Sequence, residues 1–289
     1  MTEPGGHALR CGRYALDGGR THLMGVLNIT PDSFSDGGLW LNPERAVEAA
    51  LAMQQAGAAI IDVGGESTRP GATAVSAQQE LDRVMPVIEA LVAQLEIPVS
   101  VDTSKPQVMQ AAVAAGVGMI NDVRALREEG ALACVAQAPD VAVVLMHMQG
   151  EPRSMQKAPH YDNVVGEVGA FLAARIQAAV EAGVERSRIV VDPGIGFGKR
   201  LSDNLALLAA MPELVADFGA VLIGVSRKSM FAQLLGDRPP QQRVAASVQV
   251  GMLAAQAGVS LLRVHDVRET AEALRLLQAI AVARGEGGV

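Results

Sequence analysis

One recurring unit constrains the fold of this chain more than any other feature. A short run of Val, Ile and Leu ends on a polar residue, a loop follows, and an alanine-rich amphipathic segment comes next. The runs at 59–61, 189–191 and 221–223 lack polar alternation, which indicates strands buried on both faces. Eight such strands, each followed by a helix, predict an α/β fold in the form of a single closed (β/α)8 TIM barrel. The competing arrangement is an open doubly wound sheet, but no GxGxxG follows the first strand.

Capping residues mark where several helices begin. Asn42 and Pro43 predict the start of a helix over 44–56, and Gly57 predicts its end. Ser76 and Gln79 have capping-box spacing before a helix that runs towards residue 95. We predict further helices at 106–115, 164–182, 203–211, 243–257 and 269–284, and a short one at 132–137.

Composition indicates one domain and argues against several classes of protein. No linker or charge block divides the 289 residues, so we predict a single domain over 1–289, with a lead-in at 1–21 and a barrel at about 22–285. A net charge of −7 argues against nucleic acid and acidic membranes as partners. No apolar run approaches the roughly 20 residues of a membrane span. Cys11 and Cys134 have no metal-site spacing, and no signal peptide is evident, so we expect a cytoplasmic protein.

Polar side chains end nearly every predicted strand. In a barrel the carboxyl ends of the strands lie on one face, where active sites are built. Taken singly, each residue has an ordinary explanation. Asp102 could have no role beyond capping the next helix, and a lone His usually belongs to the core. Together they indicate function, because burying each polar group costs desolvation. The residues are Asn28, Asp62, Asp102, Asn121, His147, Asp192, Ser226, Arg263 and His265.

We expect these side chains to form two chemical groups. The first, suited to phosphate and Mg²⁺, contains Asn28, Thr68, Arg69, Arg263 and His265. The second, whose carboxylates suit the N–H groups of an amino-substituted heterocycle, contains Asp102, Asn121, Asp192 and Lys228. The sequence therefore predicts a site with a phosphate end and a heterocycle end.

Eight short motifs contain these residues. They are 28–38 (NITPDSFSDGG), 62–71 (DVGGESTRPG), 100–103 (SVDT), 120–122 (IND), 145–150 (LMHMQG), 192–199 (DPGIGFGK), 224–228 (GVSRK) and 263–266 (RVHD). Their order and intervals, over about residues 22–270, resemble those of the dihydropteroate synthases. The resemblance implies a (β/α)8 enzyme that joins para-aminobenzoate to dihydropterin diphosphate and releases dihydropteroate and pyrophosphate.

The resemblance also implies roles for individual residues. The pterin pocket would contain Asp102, Asn121, Asp192 and Lys228, with Met146, Phe197 and Gly224 as apolar walls. The diphosphate would meet Asn28, Thr68, Arg69, Arg263 and His265, with Asn28 also binding Mg²⁺. The para-aminobenzoate pocket, where sulfonamides compete, would contain Phe34, Arg69, Pro70, Lys228 and Ser229. The residues expected to act in catalysis are Asp102, Lys228, Arg263 and His265.

The implied reaction is an SN1-like alkyl transfer, in which diphosphate departs from the pterin methylene before the arylamine attacks. We expect residues 30–38 to act as a mobile cover. Glu66 and Asp36 are either catalysts or loop-stabilising partners, and Lys199 is expected at the surface.

The family is usually dimeric, and the helices at 243–257 and 269–280 are apolar enough to form a homodimer interface.

Two other functions remain as hypotheses. A pterin-binding methyltransferase would share the acidic pocket but would not need the predicted diphosphate residues. A catalytically silent paralogue would bind pterin as a regulatory or partner protein. Formation of pyrophosphate from both substrates distinguishes the synthase from either alternative.

Overall fold

Eight parallel strands form a barrel in the computed structural model, which describes residues 8–29, 43–67, 75–151 and 154–285. After a hairpin of β1 (Leu9–Cys11) and β2 (Tyr14–Leu16), the barrel strands in chain order are β3 (His22–Asn28), β4 (Ile60–Gly64), β5 (Val99–Asp102), β6 (Met119–Asp122), β7 (Ala142–Met146), β8 (Ile189–Asp192), β9 (Leu222–Ile223) and β10 (Leu261–Val264). The sheet order is β8-β7-β6-β5-β4-β3-β10-β9. A parallel bridge between Val191 of β8 and Val221, the residue before β9, connects the two ends of the sheet. The predicted (β/α)8 barrel is confirmed.

Helices surround the barrel. They are α1 (Pro43–Ala56), α2 (Ala77–Gln94), α3 (Pro106–Ala114), α4 (Ala131–Ala136), α5 (Val164–Glu181), α6 (Leu201–Ala209), α7 (Met211–Phe218), α8 (Met230–Leu235), α9 (Val244–Gln256) and α10 (Val267–Ala283). The capping box is confirmed, since the Gln79 N–H donates to Ser76 Oγ at 3.2 Å and the Ser76 N–H donates to Gln79 Oε1 at 2.9 Å. Nowhere in the described ranges is a helix long and apolar enough to cross a membrane.

The structure differs from the sequence prediction in a few elements. The helix expected at 203–211 is two helices, α6 and α7, and Pro212 lies in the first turn of α7, where its missing N–H is tolerated. Helix α8 was not predicted. Strand β4 continues past Asp62 to Gly64, so Asp62 lies within the strand and not at its end. The N-cap role of Asn42 falls outside the described residues.

The hairpin closes the amino-terminal end of the barrel. Its buried residues Leu9, Cys11 and Leu16 pack on an interior layer of Met24, Ile60, Met119, Ala142, Val144, Val190, Leu222 and Leu261. A Cβ atom at Gly118 would lie 2.6 Å from the Cys11 carbonyl oxygen, so the hairpin backbone approaches β6 too closely for any side chain there. The described part of the lead-in is thus a hairpin, and the polar strand ends lie at the opposite end of the barrel.

Candidate active site

Arg263 is the centre of the polar network at the carboxyl ends of the strands. Its Nε donates to Asp62 Oδ2 at 2.7 Å, and its Nη2 donates to Asp102 Oδ2 at 2.9 Å. Asn121 donates from Nδ2 to the same Asp62 oxygen at 3.0 Å. Asp102 and Asn121 are partners in the β5–β6 register, which places both side chains on the same face of the sheet. Strands β4 and β5 therefore each bring a carboxylate to the guanidinium group, and β6 joins the network through Asp62.

The electrostatic state of this network follows from two carboxylates sharing one cation. Burial raises the pKa of Asp102 to about 7, and repulsion from Asp62 adds to the effect of burial, while Arg263 acts in the opposite direction. Burial alone would lower the pKa of Arg263, but Asp62 and Asp102 outweigh it and hold that pKa above its ordinary value. Oδ1 of the fully buried Asp62 has no hydrogen-bond partner among the described residues. The single charge of Arg263 therefore does not fully compensate the two carboxyl groups, and the pKa of Asp102 stays above its ordinary value.

This network differs from the two separate chemical groups that the sequence predicts. Arg263 was expected at the phosphate end, separate from the acidic residues. Both of its observed carboxylate partners instead belong to the acidic side, one of them the predicted pterin residue Asp102. The reason is tertiary, since β10 pairs with β3 and only β4 lies between β3 and β5. The two groups are joined through Arg263.

Asp192 is buried and Lys228 is partly buried, and both contact the loop that follows β8. Asp192, 7% exposed, accepts the Gly194 N–H at Oδ1 over 2.7 Å. Lys228 donates from Nζ to the Ile195 carbonyl oxygen, and its Nζ lies 4.2 Å from the centre of the Phe197 ring. Burial lowers the pKa of Lys228 to about 8, although Asp192 opposes this change. The loop after β8 thus holds the ammonium group between backbone oxygen and an aromatic face.

An apolar wall lies beside these charges. Val123, Met146, Met148 and Met155 form a small buried cluster, and the partly buried Phe197 packs against it. Methionine side chains adapt to flat, irregular surfaces because they are unbranched and polarisable. The structure therefore brings the predicted wall residues Met146 and Phe197 together. The predicted Gly224 directly follows β9, and an added Cβ there would be 3.7 Å from Arg263 Cβ.

His265 lies against the loop that follows β9. Its backbone N–H donates to Ser226 Oγ at 3.1 Å, and its Nδ1 lies 3.1 Å from the same oxygen. The next residue of that loop, Arg227, has a φ of 60°, which is uncommon for a side chain of this size. It is held by Ser247 Oγ, which accepts its N–H at 2.9 Å, and by an ion pair with Asp266. These contacts fix the backbone between Ser226 and Lys228.

Asn28 ends β3 close to Asp102. A Cβ atom placed on Gly64 would lie 3.4 Å from Asn28 Oδ1 and 3.7 Å from Asp102 Cβ, so both side chains approach the same glycine.

Ser229 is exposed immediately before α8. The predicted residues Phe34, Thr68, Arg69 and Pro70, the expected cover at 30–38 and Asp36 lie outside the described residues.

Glu66 has the contacts of a stabilising residue. Lys105 donates to both Glu66 and the fully buried Glu80, and the Val75 N–H lies 3.4 Å from Glu66 Oε1. These bonds link the end of β4 to α2 and to the residue just before α3. Of the two roles considered for Glu66, the contacts favour loop stabilisation.

Sequence reasoning missed the place of two residues. Asp62 was noted as a strand end but not assigned to the site, although a carboxylate inside the apolar run 60–63 was a signal for a buried partner. Lys199 was expected at the surface, and this was wrong, since it is 2% exposed. Burial lowers the pKa of Lys199 to about 7, against the pull of Asp192. No sequence signal separates the two outcomes for a lysine after a glycine-rich loop.

Comparison with known proteins identifies the family. A model described as "Pterin binding enzyme" matches residues 24–265. The dihydropteroate synthase of Escherichia coli K12 is 47% identical over 270 residues, covering 93% of this chain and 95% of that protein. The Xanthomonas albilineans dihydropteroate synthase solved with 4-aminobenzoic acid is 54% identical with a TM-score of 0.89, covering 95% of this chain and 98% of that one. The Burkholderia cenocepacia enzyme complexed with 7,8-dihydropteroate is 43% identical with a TM-score of 0.87, covering 98% of this chain and 99% of that one.

Both the family model and these relatives span most of the barrel described above. The chain therefore belongs to the pterin-binding enzyme family, in its dihydropteroate synthase branch.

Proposed function

We propose that this chain is a transferase that condenses (7,8-dihydropterin-6-yl)methyl diphosphate with para-aminobenzoate, giving 7,8-dihydropteroate and pyrophosphate. The observation that carries the proposal is the Arg263–Asp62–Asp102–Asn121 network at the carboxyl ends of the strands. It joins buried acceptors suited to pterin N–H groups to a cation suited to phosphate oxygens. The relatives solved with 4-aminobenzoic acid and with 7,8-dihydropteroate support the same pair of substrates.

In the proposed reaction, the pterin methylene loses diphosphate before the arylamine attacks. Asp102, Asn121, Asp192 and Lys228 bind the pterin, with Met146, Phe197 and Gly224 as its walls. The Asp102 carboxylate stabilises the positive charge that develops on the pterin. Arg263 and His265 stabilise negative charge on the departing diphosphate, and Asn28, Thr68 and Arg69 also contact it. Attack by a weakly basic arylamine needs no strong base, since its proton can be lost after the new C–N bond forms.

The para-aminobenzoate pocket is proposed from Phe34, Arg69, Pro70, Lys228 and Ser229. Lys228 and Ser229 support this assignment because they leave the barrel together at the start of α8, beside the proposed pterin pocket. Lys228 would then contact both substrates. A sulfonamide that mimics the aminobenzoate would compete at this position.

Asn28 and the diphosphate would together hold the proposed Mg²⁺. The residues that the structure describes contain no group of three or more His, Cys, Asp or Glu able to hold a metal ion. Mg²⁺ sites commonly combine few protein ligands with substrate phosphates and water, and Asn28 offers one carbonyl oxygen for such a site. When bound, Mg²⁺ neutralises charge on the leaving diphosphate.

Incubating the protein with both substrates and Mg²⁺ should produce dihydropteroate and pyrophosphate in equal amounts. Adding EDTA should stop turnover, and excess Mg²⁺ should restore it. A methyltransferase or a silent paralogue would bind pterin without releasing pyrophosphate. Well-folded protein that binds pterin but yields no pyrophosphate would therefore contradict the proposed reaction.

We also propose that the protein forms a homodimer in the cytoplasm, using α9 and α10. These helices pack against each other and expose Leu253, Leu276 and Ile280, which are 58%, 67% and 50% exposed. Large exposed apolar side chains on adjacent helices are typical of an interaction surface. The buried free thiols of Cys11 and Cys134 are consistent with a reducing compartment.

Leu276→Glu should convert the dimer to a monomer, because it places a charge within the proposed apolar interface. Sedimentation velocity should show the apparent mass fall by about half, with an unchanged circular dichroism spectrum. Leu205→Glu is the matched control, since Leu205 is 40% exposed but lies on α6. Dissociation by both variants, or a monomeric wild-type protein, would rule out this interface.

A further inference from the structure

We propose that Lys199 is a positioning residue that holds the loop after β8 against the end of β7, and thereby orients Phe197 as a wall of the pterin pocket. The inference rests on the proposed pterin site but concerns a residue that does not itself belong to the pocket. Lys199 Nζ lies 3.1 Å from the Phe197 carbonyl oxygen, 2.9 Å from His147 Nδ1 and 3.4 Å from the His147 carbonyl oxygen. One buried side chain thus connects the loop to the end of the neighbouring strand.

The chemistry of the three acceptors matches an ammonium group. An ammonium group has three N–H donors, and Lys199 faces two carbonyl oxygens and one imidazole nitrogen. Burial lowers the pKa of His147 to about 3, and the nearby Lys199 adds to that change, so the ring is neutral at physiological pH. A neutral imidazole protonated at Nε2 accepts a hydrogen bond at Nδ1. All three contacts are therefore compatible with one charged donor.

The His147 ring is itself fixed by its surroundings. It meets the Phe171 ring edge-on with centroids 4.9 Å apart, and the Tyr161 ring lies 6.1 Å away. The Tyr161 hydroxyl donates to the Gly198 carbonyl oxygen at 2.8 Å. The loop after β8 therefore has a second connection to the rings that surround His147. Lys199 consequently bonds to a rigid acceptor and not to a mobile side chain.

Two glycines allow the loop to approach this closely. An added Cβ on Gly194 would lie 1.9 Å from the His147 carbonyl oxygen, and one on Gly198 would lie 2.3 Å from the Gln149 carbonyl oxygen. Both glycines have positive φ, at 68° and 63°. The loop backbone therefore lies directly on the segment after β7, where the bond from Lys199 to the Phe197 carbonyl fixes the residue that faces Lys228.

Lys199→Met should weaken pterin binding while leaving the chemical step largely intact. The apolar side chain fills similar space but cannot bond to the Phe197 carbonyl, so the wall becomes less well ordered before the ligand binds. We expect the Kd for the non-reactive 6-hydroxymethylpterin and the KM for the pterin diphosphate to rise about 10- to 100-fold, the range for leaving a buried acceptor without its donor. Because Phe197 contacts the ring in both ground and transition states, kcat should change less than about threefold.

Several measurements separate positioning from a general loss of structure. Lys157→Met is the matched control, since Lys157 is exposed, and should leave Kd and KM unchanged. Ethylamine should restore pterin affinity to Lys199→Ala by replacing the missing ammonium group. If Lys199→Met does not fold, Lys199→Gln retains amide donors and should give an intermediate Kd. An unchanged Kd in a folded variant, or a lower melting temperature as the only effect, would overturn the proposal.

Pterin affinity also keeps this test independent of the proposed reaction. Calorimetry with 6-hydroxymethylpterin needs no turnover. A wild-type protein that binds the pterin but releases no pyrophosphate would contradict the synthase reaction while leaving the Lys199 test valid. A pterin Kd that is the same for wild type and Lys199→Met would contradict the positioning role whether or not the enzyme turns over.

Discussion

Replacing Arg263 with alanine is expected to abolish turnover and to weaken pterin binding at the same time. The guanidinium is bonded to Asp62 and Asp102, so its removal leaves two carboxylates without their cation. Asp62 is fully buried and its second oxygen already lacks a partner among the described residues. We expect kcat/KM to fall by about 10³-fold, the upper end of the range for losing one preorganised electrostatic contact in an active site. Breaking a buried pair should also lower the unfolding free energy by about 3–5 kcal/mol.

Steady-state kinetics, pterin calorimetry and urea unfolding would measure the three effects of Arg263→Ala. Arg268→Ala is the control, because Arg268 is exposed on α10 and should be neutral in all three. Arg263→Lys keeps the charge but cannot present the same planar fork to two carboxylates, so it should recover stability more than activity. Adding Asp62→Asn to Arg263→Ala should recover part of the lost stability by removing an unpaired charge.

An Arg263→Ala variant with unchanged pterin affinity would give the opposite conclusion. It would mean that the cation serves the diphosphate alone, as the two-group prediction from the sequence requires. The observed hydrogen bonds favour the joint effect.

The second large effect concerns the charge of Asp102. Burial raises its pKa to about 7, so the carboxyl group is neutral below that pH and charged above it in the free enzyme. The proposed mechanism needs the anion to stabilise positive charge on the pterin. We therefore expect kcat/KM for the pterin diphosphate to rise about tenfold per pH unit up to about pH 7 and then to level off.

Asp102→Asn tests this assignment by removing the titrating group. We expect kcat to fall about 10²- to 10³-fold, the range for losing one preorganised electrostatic contact. The rise of kcat/KM with pH that is caused by Asp102 should disappear. Any ionisation of the diphosphate itself remains in both enzymes, so the difference between the two profiles isolates Asp102. Asp82→Asn, at an exposed position on α2, should keep the wild-type profile. An identical limb in Asp102→Asn would assign the titration to another group.

Much of the architecture follows from local sequence patterns. The unbroken apolar runs predicted the parallel strands, and the spacing of Ser76 and Gln79 predicted a capping box whose two hydrogen bonds are both present. Such features depend on residues within a few positions of each other. The eight motifs likewise predicted the family that the comparisons confirm. Helices α7 and α8 were missed because short helices carry few repeats of the apolar pattern.

The sequence by itself determined the barrel, the family and the end of the barrel on which the polar residues lie. Only the tertiary structure decided how those residues pair. Arg263 is 201 positions from Asp62 and 161 from Asp102, and no local pattern states that these side chains meet. The same holds for Lys199, whose burial depends on how the glycine-rich loop lies on β7. Pairing depends on which strands are neighbours and which way each side chain points, and both are settled when the barrel closes.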